Sequence, residues 1–315
     1  MSESCSDNCQ TCGKTCAERR VPQSMQAAPN PRSNIKNVIG VVSGKGGVGK
    51  SLVTSLIAAA LVKQGKNVGI LDADITGPSI PRMFGIEGKA MGSPDGLLPA
   101  VAADGTKGMS TNLLLENDTD PVIWRGPMIA GVVKQFWSDV VWGDIDYLLV
   151  DMPPGTGDVP LTVFQSLPVD GIIVVTSPQE LVGMIVAKAV NMAEAMKVPV
   201  LGLVENMAYF VCPNCNEKHY LFGESQVDVL AQEYEIGATA QIPTNPTIAA
   251  LCDAGKVDQE VVTAQFDLRD QIQLVLLEEV VQEFAGGAFP VEHHDRVVQE
   301  IFQVQFFIHQ FCVVG

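Results

Sequence analysis

No stretch of this 315-residue chain reaches the roughly 18 uninterrupted apolar residues that a membrane-spanning helix requires. The first residues are polar and cysteine-rich and lack the apolar core of a secretory leader, so a cytoplasmic protein is expected. Positive charge is scarce. Twenty Lys and Arg stand against 36 Asp and Glu, for a formal net charge of −16, and no basic run interrupts that balance. Such a chain repels nucleic acid and anionic lipid, so neither is an expected partner. No solenoid-type repeat is present.

What is there is enough for a core. Hydrophobic residues make up 47% and charged residues 18%, which excludes global disorder. The length suits one large α/β domain with additions, or two small ones. Residues 1–34, rich in Ser, Asn, Gln and Pro, read as a flexible, cysteine-rich arm. After it, short apolar runs alternate with helical stretches. Strands are expected at 38–42, 68–72, 147–151, 171–176 and 200–206, and helices at 50–64 and 181–196. Residues 92–123 are less regular and suit a hairpin on one edge. This alternation implies an α/β fold with a doubly wound, mostly parallel sheet flanked by helices. The main folded domain is expected over 35–260 and a helical segment of unassigned role over 261–315. Within that segment, 267–285 reads as an amphipathic helix and 297–314 as an apolar one.

The strongest local signal is Gly44-Lys45-Gly46-Gly47-Val48-Gly49-Lys50-Ser51. It satisfies G-x-x-x-x-G-K-[ST] between a strand and a helix, the context of a P-loop. Glycines let the backbone curl so that N–H groups face phosphates, and the helix N-terminus adds positive partial charge. Lys50 is expected to reach the β- and γ-phosphates of ATP, and the Ser51 hydroxyl to bind Mg²⁺. Lys45 is a second lysine that nucleotide binding within one subunit does not need; spacing alone also allows a solvated side chain.

Two acidic strand ends point at the same crevice, because ligands of open α/β sheets lie beyond the C-terminal ends of the strands. Asp151 fits a Walker B role, holding Mg²⁺ through water. Asp74 is expected to orient the attacking water, and Asp72 to share that task or to be structural.

Eight cysteines are not scattered. Cys5, Cys9, Cys12 and Cys16 crowd the arm, where they could wrap a cluster or zinc or remain unliganded. Cys212 and Cys215 form a CxxC, while Cys252 and Cys312 stand alone. Clustered cysteines in a large cytoplasmic chain suggest metal or cluster binding rather than disulphides. A lone CxxC supplies two of the four ligands that a tetrahedral zinc or a cubane needs. The pair could be half of a cluster site, half of a zinc site with His219 as third ligand in C-x₂-C-x₃-H, or a redox pair.

Together, Ser43 to Ser51, Leu71 to Ser79 (LDADITGPS), WRGPM at 124–128, Trp142 to Asp158 and ENMAYFVCPNC at 205–215 resemble the Mrp/ApbC-type iron–sulphur carrier ATPases. These belong to the wider MinD/ParA and nitrogenase iron-protein superfamily. The resemblance spans most of residues 36–255. It implies a homodimer in which Lys45 reaches across to the partner's nucleotide and Asn206 contacts adenine. It implies that Cys212 and Cys215 pair with the same residues of the second subunit around one [4Fe–4S] cluster, destined for apo iron–sulphur proteins. Hydrolysis is then expected to be slow. Eukaryotic relatives carry four N-terminal cysteines at a different spacing from that seen here. A MinD/ParA-type positioning ATPase is the alternative, but residues 267–285 carry Asp267, Asp270, Glu278, Glu279 and Glu283 against Arg269, which opposes anionic lipid. An ATP-driven iron–sulphur electron donor is the other alternative, separated by whether the cluster is given away or kept.

Overall fold

The computed structural model describes residues 26–258 apart from 76, 78, 116–125, 156, 180 and 181. In chain order they form β1 (Asn34–Val42), α1 (Lys50–Lys63), β2 (Val68–Asp72), α2 (Ile80–Met83), β3 (Met91–Ser93), β4 (Gly96–Leu98), β5 (Ala100–Val101) and β6 (Lys107–Met109). Then follow α3 (Gly126–Ser138), β7 (Asp144–Asp151), α4 (Asp158–Ser166), β8 (Gly171–Thr176), α5 (Val182–Met196) and β9 (Val200–Asn206). The last are β10 (Phe210–Val211), β11 (Lys218–His219), α6 (Val227–Glu233), β12 (Thr239–Ile242) and α7 (Pro246–Asp253).

Eight strands form one sheet in the order β12-β9-β8-β1-β7-β2-β6-β5. Every pairing in it is parallel except β5 with β6, which run antiparallel at one edge. The expected doubly wound, mostly parallel sheet is therefore what the chain forms. Its strands read as continuous apolar runs because both faces are covered. Alternation splits them between two cores. Val38, Val42, Leu148 and Val150 face the side of Trp137 and Phe164. Ile39, Val41, Tyr147 and Leu149 face the side of Val53 and Ile57.

Several bounds move. β1 and β7 begin earlier than their apolar runs, at Asn34 and Asp144, which are partners in the parallel register. The irregular edge contains the expected hairpin, β3 against β4. Residues 26–34, the end of the expected arm, are docked on the domain. The Ala27 N–H donates to the Ser166 carbonyl at 2.8 Å, and Trp137 Nε1 donates to the Ala27 carbonyl at 2.8 Å. Cys5, Cys9, Cys12, Cys16 and the 261–315 segment lie outside the described residues.

The order places the site. The chain leaves β1 for β2, which lies two places away, returns through β7 to fill the gap, and then crosses to β8 on the other side of β1. This reversal beside β1 opens a crevice beyond its C-terminal end, where ligands of such sheets bind.

Candidate functional site

The loop between β1 and α1 fills that crevice. Gly47 and Gly49 both adopt φ near 82°, a left-handed conformation that L side chains rarely take. Gly49 directly precedes α1, so this turn aims the first amides of the helix back into the loop. Gly44 is required for a different reason: a Cβ there would lie 2.1 Å from Ile185 Cγ2 of α5. The Gly155 N–H donates to the Ser43 carbonyl at 2.8 Å, which ties the loop after β7 to the loop after β1.

Asp151 is the hub. It ends β7, is fully buried, and is the register partner of Asp72 on β2. One carboxylate oxygen accepts from Lys50 Nζ at 2.7 Å and from Thr54 Oγ1 at 2.9 Å; the other accepts from Ser51 Oγ at 2.6 Å. Lys50 is itself 6% exposed, and Asp74 Oδ2 lies 4.0 Å from its ammonium on the other side. The P-loop lysine, the Mg²⁺-type hydroxyl and the two acidic strand ends expected from sequence are thus gathered around one point. Thr54 is an addition; it lies one turn along α1 from Lys50, and its hydroxyl also bonds the Lys50 carbonyl at 3.0 Å.

Asp72 takes a different part from Asp74. It is buried, its Oδ1 accepts from the Asp74 N–H at 3.2 Å, and burial followed by the neighbouring Asp151 pushes its carboxyl well above the ordinary range. A carboxyl held in that state positions its neighbour's backbone and adds little negative charge.

Two contacts were not visible in the motif. The Asn206 amide, at the end of β9, donates to the Val48 carbonyl at 2.9 Å. Lys45 is engaged within its own chain, its ammonium donating to Oε1 of Gln179 in the loop after β8.

Six residues beyond Asn206 the chain reaches the thiols. Cys212 follows β10, and the Cys212 N–H donates to the Glu217 carbonyl at 3.0 Å, continuing the antiparallel β10–β11 pairing. Asn216, with φ 58°, closes the turn by donating its N–H to the Cys212 carbonyl at 2.9 Å. Backbone N–H groups of Asn214 and Cys215 aimed at the sulphur hold the Cys212 thiol below its ordinary value, which favours the thiolate that binds metal. Cys215 and His219 are exposed, and the donor atoms of Cys212, Cys215 and His219 lie within 4.8 Å of one another. Val211, Tyr220, Leu221 and Phe222 around this tip are also exposed. Cys252 is buried on α7 in the second core, as expected of a small apolar side chain.

A family model described as the NUBPL iron-transfer P-loop NTPases, of the ParA group, matches residues 34–278, past residue 260 where the ATPase domain was expected to close. An iron–sulphur cluster carrier protein of Methanocaldococcus jannaschii is 46% identical over 257 residues, covering 80% of this chain and 89% of its own length. A nucleotide-binding protein of Archaeoglobus fulgidus, solved in complex with ADP and with cobalt found in it, shares 50% identity at a TM-score of 0.65, covering 71% of this chain and 88% of that one. The cell division ATPase MinD of Pyrococcus furiosus shares the fold at 18% identity and a TM-score of 0.51, over 79% of this chain and 99% of that one.

Proposed function

Because the chain belongs to the NUBPL iron-transfer P-loop NTPase family, we propose that it is a homodimeric, slowly hydrolysing ATPase that carries a [4Fe–4S] cluster and passes it to apo iron–sulphur proteins. The observation that carries this reading is continuity. One short segment runs from Asn206, bonded to the phosphate loop, to a pair of thiols, the half-buried Cys212 and the exposed Cys215.

The nucleotide half follows from the crevice. The residues present fit ATP with Mg²⁺. Gly44, Gly46, Gly47 and Gly49 give a backbone without side chains in the way, Val48 lies between them, and Lys50 and the start of α1 supply positive charge. Ser51 Oγ and Asp151 Oδ2, 2.6 Å apart, are two oxygen donors suited to the Mg²⁺ shell, directly or through water. When phosphate enters, Lys50 exchanges its Asp151 contact for phosphate oxygens. Asp74, beside that ammonium, orients the water that attacks the γ-phosphorus, and the products are ADP and phosphate. Lys45 leaves Gln179 and reaches the nucleotide of the second subunit. Asn206 also contacts adenine.

The cargo half follows from donor arithmetic. Two thiolates per chain become four across a two-fold axis, the number a cubane needs. An exposed tip lets a recipient's thiolates replace these one at a time, without a cavity having to open. The exposed Val211, Tyr220, Leu221 and Phe222 supply apolar surface for the second subunit or the recipient. Zinc is the second reading, favoured by His219 beside the two thiols. No helix among the described residues is long and apolar enough to cross a membrane.

The test is anaerobic reconstitution followed by iron and sulphide analysis. About one [4Fe–4S] per dimer is expected at this pair, beyond whatever Cys5, Cys9, Cys12 and Cys16 hold. Replacing Cys212 and Cys215 with Ala should remove it and leave nucleotide binding intact. Full retention of that cluster by the double variant would refute the assignment.

A further inference from the structure

Asp151 is gripped from one helix. Ser51 and Thr54, three residues apart and so on one face of α1, meet its two oxygens separately. Ser51 Oγ donates to Oδ2 at 2.6 Å, and Thr54 Oγ1 lies 2.9 Å from Oδ1. Lys50 Nζ takes the same Oδ1 at 2.7 Å. Asp151 and Thr54 are both fully buried, so water does not reach this contact. Asp72, the register partner of Asp151, does not serve it either: the buried Asp72 Oδ2 has no hydrogen-bond partner among the described residues.

The Thr54 hydroxyl is placed between two acceptors. It lies 3.0 Å from the Lys50 carbonyl as well, but it has one hydrogen and serves one acceptor at a time. The carbonyl does not depend on it, because the N–H of Thr54 closes the helical bond to that oxygen. Oδ1 depends on it whenever Lys50 is elsewhere. A threonine within a helix commonly turns its hydroxyl to the carbonyl one turn back. Here a carboxylate is within the same reach, and an ionised acceptor makes the stronger bond.

We propose that Thr54 is a positioning residue for the nucleotide reaction: its hydroxyl holds Oδ1 of Asp151 when Lys50 turns to phosphate, and so keeps Oδ2 beside Ser51 for Mg²⁺. The proposal rests on the ATP reading of the crevice and is independent of the thiols. The hydrogen moves from the Lys50 carbonyl to Oδ1 by rotation about the Cβ–Oγ1 bond, so only a hydrogen bond is exchanged and no proton is transferred. A buried carboxylate oxygen stripped of its ammonium would otherwise be left without a donor, a state that folded proteins avoid. Without that hold, the Asp151 carboxylate turns to follow Lys50, and the pairing of Oδ2 with Ser51 is lost. Thr54 acts through Asp151.

A double-mutant cycle on the full-length protein without nucleotide, read by urea midpoints, is the first test. Thr54→Val keeps the shape and loses the hydroxyl. Alone it should cost little, since Lys50 still covers Oδ1; combined with Lys50→Met it should cost more than the two single losses added together. Additive losses would overturn the proposal. The second test titrates Mg²⁺ into parent and variant with a saturating fluorescent, non-hydrolysable ATP analogue, read by its fluorescence. Thr54→Val should raise the Mg²⁺ concentration at half-maximal response about tenfold, the scale on which losing a metal ligand's hydrogen-bond partner acts. Thr54→Ser, which keeps the hydroxyl, should match the parent. A parent-like Mg²⁺ requirement in Thr54→Val, or equal impairment in Thr54→Ser, would overturn the proposal. If Thr54→Val does not fold, Thr54→Ala, smaller and likewise without the hydroxyl, is read in the same way. A parent that binds no analogue, with the cycle non-additive as expected, would overturn the ATP reading and leave the hold of Thr54 on Asp151 standing.

Discussion

The amide of Asn206 donates to the carbonyl of Val48 at 2.9 Å, so the strand that leads to the paired thiols is bonded to the loop that embraces phosphate. The contact is buried and joins positions 158 residues apart in sequence. The same Asn206 blocks a side chain at Gly49, where a Cβ would lie 2.2 Å from its Nδ2. Beyond it the chain is clamped to β12, through the Ala208 N–H to the Ile242 carbonyl at 3.0 Å and the Thr244 N–H to the Tyr209 carbonyl at 2.7 Å. The phosphate loop, the end of β9 and the start of the hairpin are thereby joined by hydrogen bonds.

Asn206→Ala tests that link. The variant should lose about 1 kcal/mol of stability from the missing hydrogen bond. It should also bind nucleotide more weakly while taking up the same iron and sulphide. The decisive readout is the cluster's visible spectrum on adding ATP: any nucleotide-induced change in the parent should vanish in the variant. A change of undiminished size would place the coupling elsewhere.

Lys45 and Gln179 make a second pair. Lys45→Ala should leave nucleotide binding by the single chain within about twofold, because Lys50 supplies the charge next to Asp151, but should abolish hydrolysis. Gln179→Ala removes only the cis partner of the lysine, so its hydrolysis should be retained or raised. Unchanged turnover in Lys45→Ala, measured as phosphate release, would argue against a lysine that acts across the dimer.

The loop glycines should not be equivalent. Gly44→Ala drives a methyl group into Ile185, a contact of 2.1 Å that requires the loop or α5 to shift. A cost of about 1–3 kcal/mol is expected, with nucleotide affinity falling too. Adding Ile185→Ala should relieve part of it, so that the double variant is more stable than the sum of the single ones predicts. Gly47→Ala meets nothing within 4 Å and suffers only from its φ of 82°, for about 1 kcal/mol. Urea melts of the parent and these four variants check the order.

Glu205 gives a pH dependence. It lies next to Asn206, the last residue of β9, is fully buried, and burial pushes its carboxyl above the ordinary value. The folded state therefore holds this proton more tightly than the unfolded chain, whose Glu titrates near about 4.3. By linkage the contribution is most favourable below that pH and is lost as pH rises through the raised folded value. Glu205→Gln removes the titration. Its stability relative to the parent should rise between pH 4 and pH 7, as measured by urea midpoints. A constant difference across that range would show that the carboxyl does not titrate abnormally.

The phosphate site was legible because its information is local. Glycines at 44, 46, 47 and 49 with Lys50 and Ser51 dictate a backbone path whatever surrounds them. The strands were legible where apolar runs are continuous, as at 68–72, 171–176 and 200–206. β12 escaped because four residues of mixed polarity, Thr-Ala-Gln-Ile, carry no usable period. The docking of residues 26–34 escaped because it depends on Trp137 reaching back to Ala27. Asn206 could be matched to a family position, but its bond to Val48 could not, since only the sheet order brings β9 and the loop together. His219 was visible as a candidate by spacing. That it shares a face with Cys212 emerges only from the strand register.

The strand order also sets a calendar for biosynthesis. β1 is made first, yet its neighbours on either side are β7 and β8, so it has no flank until residue 151 has been synthesised and not both until residue 176. The last contact on the loop, from Asn206, arrives thirty residues later, and the thiols emerge immediately after it. A nascent chain thus makes every strand of its nucleotide cradle before it makes Cys212 and Cys215.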